Sequence, residues 1–303
     1  MKTIIMVGLP SFIIMILLLY SYFFASIVLS PSKGKIVFKG KPNKNTEAEK
    51  NLSESVKLFK KDNVRSFDDI DLEGYKYHDE ATHNWIICVH GYGGNPSNMI
   101  KYADHFIKNN FNILLPELRG HGNSECDYTG LSYLDGYDIN VWIHHILQLD
   151  KSAKIVLFGI SLGGASVAMS AEFESINNVK CIITDSAPSN MHTQIKNVYK
   201  WISKLPTFPT FYLVEFIIKI KTKIYLKDVN VINNIQFINK PWLIIHGKKD
   251  GFVNPLMAEN IYNEANSPKT LFLVPGAEHT HAIDEDPIGY WDKVDQFINI
   301  NIK

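Results

Sequence analysis

The stretch Ile155-Val156-Leu157-Phe158-Gly159-Ile160-Ser161-Leu162-Gly163-Gly164-Ala165 decides how this chain folds. Four apolar residues closed by a glycine read as a short strand buried on both faces. The Gly-Gly-Ala continuation suits the start of a closely packed helix. Between them lies Gly-x-Ser-x-Gly, where the chain must turn sharply from strand to helix. Glycines two before and two after Ser161 let that turn close without a Cβ clash. A serine at the apex holds its hydroxyl clear of the sheet and is a candidate nucleophile. In a chain with 18 glycines the five-residue pattern is weak by itself. The strand in front of it gives it weight.

Outward from this turn, short apolar runs alternate with helical periods. Val64 to Ile70 and Leu72 to His78 predict an antiparallel hairpin, and Trp85 to Val89 a buried strand. Ser97 to Asn109 then predicts a helix, Phe111 to Pro116 a strand, Asp138 to Asp150 a helix, and Lys154 to Gly159 the strand before the serine. Further strands are expected at Val179 to Ile183, Pro241 to Ile245 and Thr270 to Val274, with helices at Pro255 to Ala265 and Pro287 to Ile298. Such alternation is the pattern of an α/β protein: a mostly parallel central sheet with helices on both faces. Residues 188–238 break the rhythm. They separate two strands by about fifty positions and are rich in aromatic and aliphatic residues, which predicts a helical lid insertion at the sheet's carboxyl edge.

A serine hydroxyl is a poor nucleophile at neutral pH, so the turn needs a base, an acid to orient it, and donors for a developing oxyanion. Asp250 follows the strand ending at Ile245, and Asp185 is its rival after the preceding strand. His279 follows the strand ending at Val274, and His281 is its rival two residues on. Ser161, Asp250 and His279 occur in the chain order this chemistry takes on a parallel sheet. Backbone N–H groups of Tyr92, in the glycine-rich loop after Val89, and of Leu162, at a helix start, are the candidate oxyanion hole. His90, His121 and His246 read as loop-holding residues, and the adjacent His144 and His145 as packing. Cys88, Cys126 and Cys181 form no zinc-ligand pair and imply no disulfide framework. The spacing of His279, His281, Asp284 and Glu285 fits no common metal site, so neither metal nor cofactor is expected.

The chain resembles the α/β-hydrolase fold family over roughly residues 64 to 300. The motifs that carry the resemblance are His-Gly-Tyr-Gly-Gly at 90–94, Leu-Arg-Gly-His-Gly-Asn-Ser at 118–124, Gly-Ile-Ser-Leu-Gly-Gly at 159–164, His-Gly-Lys-Lys-Asp-Gly-Phe-Val-Asn at 246–254 and Gly-Ala-Glu-His at 276–279. They are most similar to membrane-anchored bacterial hydrolases of the serine-aminopeptidase-like branch. The resemblance implies Ser161, Asp250 and His279 as catalytic residues and Tyr92 and Leu162 as the oxyanion hole. It implies no substrate, because one scaffold hosts many hydrolyses.

The amino-terminal segment adds a location. Thr3 to Ser32 contains no charge, exceeds the roughly 20 apolar residues needed to span a bilayer, and is longer than the apolar region of a cleavable signal, although a signal cut near Ala25 is the competing reading. The expected division is a transmembrane anchor at 1–32, a basic stalk at 33–63 with a short helix around Glu47 to Lys60, and a hydrolase domain at 64–303 containing the insertion 188–238. Ten Lys or Arg stand against four Asp or Glu between Lys33 and Arg65, in a chain whose 31 basic and 31 acidic residues cancel. The balance argues against a nucleic-acid partner. Those lysines favour a cytoplasmic domain by the positive-inside rule, whereas a short basic head before an apolar run also begins export signals. The expected protein is therefore a single-pass cell-membrane serine hydrolase, of either orientation, acting on a small carboxylic ester or related acyl compound. A peptidase or amidase of the same fold, and a non-catalytic membrane-tethered binding protein, are the alternatives.

Overall fold

The computed structural model describes residues 2–37, 56–170 and 177–303. At its centre is β5 (Lys154–Ile160), the strand before Ser161, buried on both faces beyond Lys154. Its side chains alternate between two apolar layers. Ile155 and Leu157 face one and Val156 and Phe158 the other, as a period of two dictates. The remaining strands are β1 (Lys60–Arg65), β2 (Asp71–Tyr77), β3 (Asn84–Val89), β4 (Asn112–Pro116), β6 (Val179–Asp185), β7 (Trp242–Gly247) and β8 (Lys269–Val274). They form one sheet in the order β1-β2-β4-β3-β5-β6-β7-β8. Pairing is antiparallel from β1 to β2 and from β2 to β4, and parallel from β4 through β8.

Helices cover both faces. On one, α3 (Ile100–Lys108) and α11 (Pro287–Asn301) supply Tyr102, Phe106, Tyr290 and Val294. On the other, α4 (Tyr133–Leu149), α5 (Leu162–Ser170) and α9 (Leu256–Glu264) supply Ile139, Trp142, Val167 and Ile261. Parallel register brings Val89 of β3 opposite Gly159, and Gly159 opposite Thr184 of β6. The loops leaving β3, β5, β6, β7 and β8 consequently gather at one edge. Residues 188–238 are helical: α6 (Met191–Ile202), α7 (Thr210–Thr222) and the short α8 (Val231–Asn234). Short α10 (Ala282–Glu285) precedes α11.

Among the boundaries that differ from the sequence expectation, three have a local cause. The first strand is Lys60–Arg65 rather than 64–70, and Ser66 to Ile70 is a turn in which the Ser66 N–H donates to the Ile70 carbonyl. This is an edge strand whose polar side chains carry no apolar alternation to read. Helix α4 begins five residues before Asp138, where the Ser132 N–H donates to the Asp135 carboxylate at 2.8 Å. The helix expected at 97–109 opens as a 3-10 turn at Pro96–Met99 before α3. The short helix that the stalk suggests around Glu47 to Lys60 lies mostly outside the described residues.

The apolar amino-terminal segment is α1 (Lys2–Leu29), followed by α2 (Pro31–Val37). Ser11–Leu29 is long and apolar enough to cross a membrane. Its two ends differ. Phe12 to Ile16, Leu18 and Leu19 are exposed, whereas Phe24, Ala25, Ile27, Val28 and Leu29 are buried against the rest of the chain. The Ser21 hydroxyl donates to the Thr210 carbonyl at 3.2 Å, and the Thr129 N–H to the Leu29 carbonyl at 2.9 Å.

Beneath the loop at 118–124 lies a buried ion cluster. Arg119 is fully enclosed and holds Asp138 through Nε and Nη2, both at 2.6 Å, and Asp68 through Nη1 at 2.8 Å. Nearby Asp135 is pushed up to about 7 by burial first and by the Asp138 charge second, against the pull of Arg119. Arg119→Met strands the buried Asp138 carboxylate and should lower unfolding stability by about 3 to 5 kcal/mol, read by urea titration in detergent. Asp135 has a pH signature of opposite sign to acid denaturation. Its native pKa lies above the unfolded value of about 3.9, so its stabilising contribution is complete below that pH and is lost as pH rises through about 7. Asp135→Asn should therefore flatten this part of the curve, so that variant stability relative to the parent rises between pH 5 and pH 8.

Candidate active site

At the end of β5 the chain turns into α5 on a single residue in the left-handed region, Ser161 at φ 52°. Two glycines make this possible. A Cβ on Gly159 would stand 2.3 Å from the Gly163 carbonyl oxygen, and one on Gly163 would stand 2.4 Å from the carbonyl oxygens of both Val89 and His90. The Ser161 N–H is held by the Asp185 carbonyl at 2.8 Å. The serine is 8% exposed.

His279 follows β8 after a turn at Gly276 (φ +87°). Its Nε2 lies 2.9 Å from Ser161 Oγ and its Nδ1 2.7 Å from Asp250 Oδ2. A carboxylate at Nδ1 keeps the proton there and leaves the Nε2 lone pair facing the serine hydroxyl. Asp250 follows β7 in a tight turn. Its Oδ1 accepts from the N–H groups of Phe252 at 2.9 Å and Val253 at 2.8 Å, and His246 Nε2 stands 3.1 Å from Oδ2. Burial disfavours the charge, but the hydrogen bonds from His246 and His279 outweigh it and hold the carboxyl well below the usual range. Asp250 is ionised at neutral pH.

The rivals are engaged elsewhere. Asp185 is fully buried, with Oδ1 accepting from the Ser186 hydroxyl at 2.8 Å and Oδ2 from the Tyr290 hydroxyl at 3.1 Å. Burial raises its carboxyl above the ordinary value. His281 pairs with Asp284 at 2.9 Å on the exposed side.

The loop after β3 passes against the serine: a Cβ on Gly91 would stand 3.2 Å from that of Ser161. Tyr92 is next in the chain. Leu162 opens α5, where the first N–H groups of a helix have no intrahelical acceptor and favour negative charge. Two histidines fasten the β3 loop to the loop after β4. His90 donates from Nδ1 to the Gly91 carbonyl at 2.8 Å and accepts the Leu118 N–H at 3.1 Å, while His121 accepts the Gly93 N–H at 3.1 Å. Both carry their loops as the sequence suggests.

One contact was not legible in the sequence. The Tyr92 hydroxyl donates to the Ile27 carbonyl and also lies 3.0 Å from the Ser30 carbonyl, both at the carboxyl end of α1. Its acceptors are backbone atoms more than sixty residues away, and no side-chain pattern announces such a pairing. The apolar helix thus reaches the residue beside the serine.

Residues 84–219 match the family model described as alpha/beta hydrolase fold. A protein of Bacillus subtilis named only as uncharacterized protein YqkD is 24% identical over 76% of this chain and 75% of its own length. A carboxylesterase of the same bacterium is 23% identical over 66% of this chain and 86% of its own. Among solved structures, Pyrococcus furiosus esterase Pf2001 superposes with a TM-score of 0.68 at 22% identity, over 84% of this chain and 94% of that one. With the eight-stranded sheet and the strand-turn-helix at Ser161, these similarities lead to one conclusion: the chain has the α/β-hydrolase fold, with residues 84–219 matching the model of that family, and is a hydrolase.

Proposed function

We propose that the protein is a serine hydrolase that cleaves a carboxylic ester or related small acyl compound through an acyl-enzyme on Ser161. The observation that carries this reading is the hydrogen-bonded line from Ser161 Oγ to His279 Nε2, at 2.9 Å, and from His279 Nδ1 to Asp250, at 2.7 Å. His279 takes the Ser161 proton at Nε2 as Oγ attacks the substrate carbonyl carbon. The carbonyl oxygen gains the negative charge and is met by the N–H groups of Tyr92 and Leu162. His279 then gives its proton to the departing alcohol as the carbon–leaving-group bond breaks. Water repeats the sequence on the acyl-serine, losing a proton to His279 and releasing the acid. Asp250 stays ionised throughout and stabilises the transient imidazolium. No cofactor or metal is required. The names of the carboxylesterase and the esterase among the similar proteins lend support to an ester as substrate.

We further propose that α1 anchors the chain in the cell membrane as a single-pass helix, with a hydrolase domain beginning at β1 and a lid insertion at 188–238. Residues 21–34 would belong to both parts, because they pack against the domain.

Ser161→Ala should lower p-nitrophenyl ester hydrolysis by at least about a thousandfold and abolish labelling by a fluorophosphonate probe. Unchanged hydrolysis would sink the reading, and hydrolysis absent from the parent chain on a panel of acyl esters, thioesters and aminoacyl amides would favour a binding protein. Amides cleaved in preference to esters would favour a peptidase. Tyr92→Phe keeps the backbone donor and loses only the tie to α1, so kcat should fall about tenfold, equivalent to about 1.4 kcal/mol, with KM little changed.

A further inference from the structure

The link between α6 and α7 exposes a cluster of large apolar side chains on the insertion. Trp201 is 71% and Phe208 74% exposed, with Leu205 and Tyr212 also open to solvent. The Phe208 and Tyr212 rings lie 6.0 Å apart. Large exposed apolar side chains gathered within a dozen residues, with Phe208 and Tyr212 side by side, mark something that covers them. Exposed Lys200 and Lys204 stand among them, and no acidic residue occurs between Ser186 and Val214.

The position of the cluster names the occupant. Tyr199, two residues before Trp201, packs edge-on against Tyr20 and Phe24 of α1, and Ser21 bonds the carbonyl of Thr210, two residues after Phe208. The cluster therefore lies where α1 leaves the domain. On the far side of that level α1 continues as an apolar helix, with Phe12 to Ile16, Leu18 and Leu19 exposed. Its segment from Thr3 to Leu19 would be about 25 Å long, close to the hydrocarbon thickness of a bilayer. Tryptophan, tyrosine and lysine at such a level are the residues of a membrane–water interface, and the lysines complement anionic headgroups.

The geometry points to a lipid docking surface: the α6–α7 link, through Trp201, Leu205 and Phe208, sits in the interface of the bilayer that α1 spans. The inference rests on the proposed anchoring. It adds that the insertion is held against the membrane on two sides, by α1 and by its own aromatic residues.

The test uses the full chain in vesicles of phosphatidylcholine and phosphatidylglycerol, with some acyl chains brominated near the headgroup. Of the five tryptophans, Trp85, Trp142 and Trp242 are fully buried, Trp291 stacks on His105, and α1 contains none, so Trp201 is the reporter. Bromolipid quenching of emission should fall at least about twofold in Trp201→Phe, and Trp201 in the parent should resist aqueous iodide. Leu205→Ser with Phe208→Ser should weaken the same quenching without loss of ester hydrolysis in detergent. Quenching identical in parent and Trp201→Phe overturns the docking surface: iodide access would then mean an open loop, and protection from both quenchers a protein partner. Alkaline extraction separates the two readings. A chain that leaves the membrane refutes the anchor and the docking together, and one that stays without Trp201 quenching refutes the docking alone.

Discussion

The site depends on how closely two backbones approach at the carboxyl edge of the sheet. Gly163 lies against the carbonyl oxygens of Val89 and His90, and Gly159 against the carbonyl of Gly163, at distances no Cβ tolerates. That approach lets β5 turn into α5 on one residue and brings the loop after β3 against Ser161. A left-handed serine costs about 1 kcal/mol or more of backbone strain, and it persists because the surroundings over-determine it. The strands on either side are buried and in register, and the Asp185 carbonyl holds the Ser161 N–H.

Electrostatics then separates two carboxylates that occupy equivalent places one strand apart. Asp250 ends in a turn that offers two backbone N–H groups and two imidazoles, so its charge survives burial. Asp185 accepts from the hydroxyls of Ser186 and Tyr290 among the described residues, and burial dominates. An ionised partner is what a histidine needs to hold its proton at Nδ1 and to tolerate a positive charge. The difference comes from turn geometry and neighbours rather than from residue type.

The amino-terminal helix joins the membrane question to the chemistry. Ser11–Leu29 has the length and composition of a membrane span, and its first part is exposed, while its second part packs on Tyr199 and Thr210 of the insertion and offers carbonyls to Tyr92. Residues at its carboxyl end are core rather than tether. On this arrangement, the insertion, the anchor and the loop beside the serine form one mechanical unit at the level of the proposed bilayer surface.

The sequence by itself determined the alternating architecture, the turn at Ser161, and the placement of an acid and a base after later strands. These are local matters: buried strands need continuous apolar runs, and a one-residue turn needs glycine around it. It placed the first strand at 64–70 instead of Lys60–Arg65, because an edge strand facing water carries no apolar alternation, and it preferred Asp250 to Asp185 and His279 to His281 from their motifs alone. Only the tertiary structure brings Asp250 to His279 and turns Asp185 and His281 to other partners, since which carboxylate meets which imidazole depends on parallel register and on loops from several strands converging at one edge. The bond from Tyr92 to the carbonyls of α1 belongs to the same class. Backbone acceptors are present at every residue, so only packing selects the one that is used.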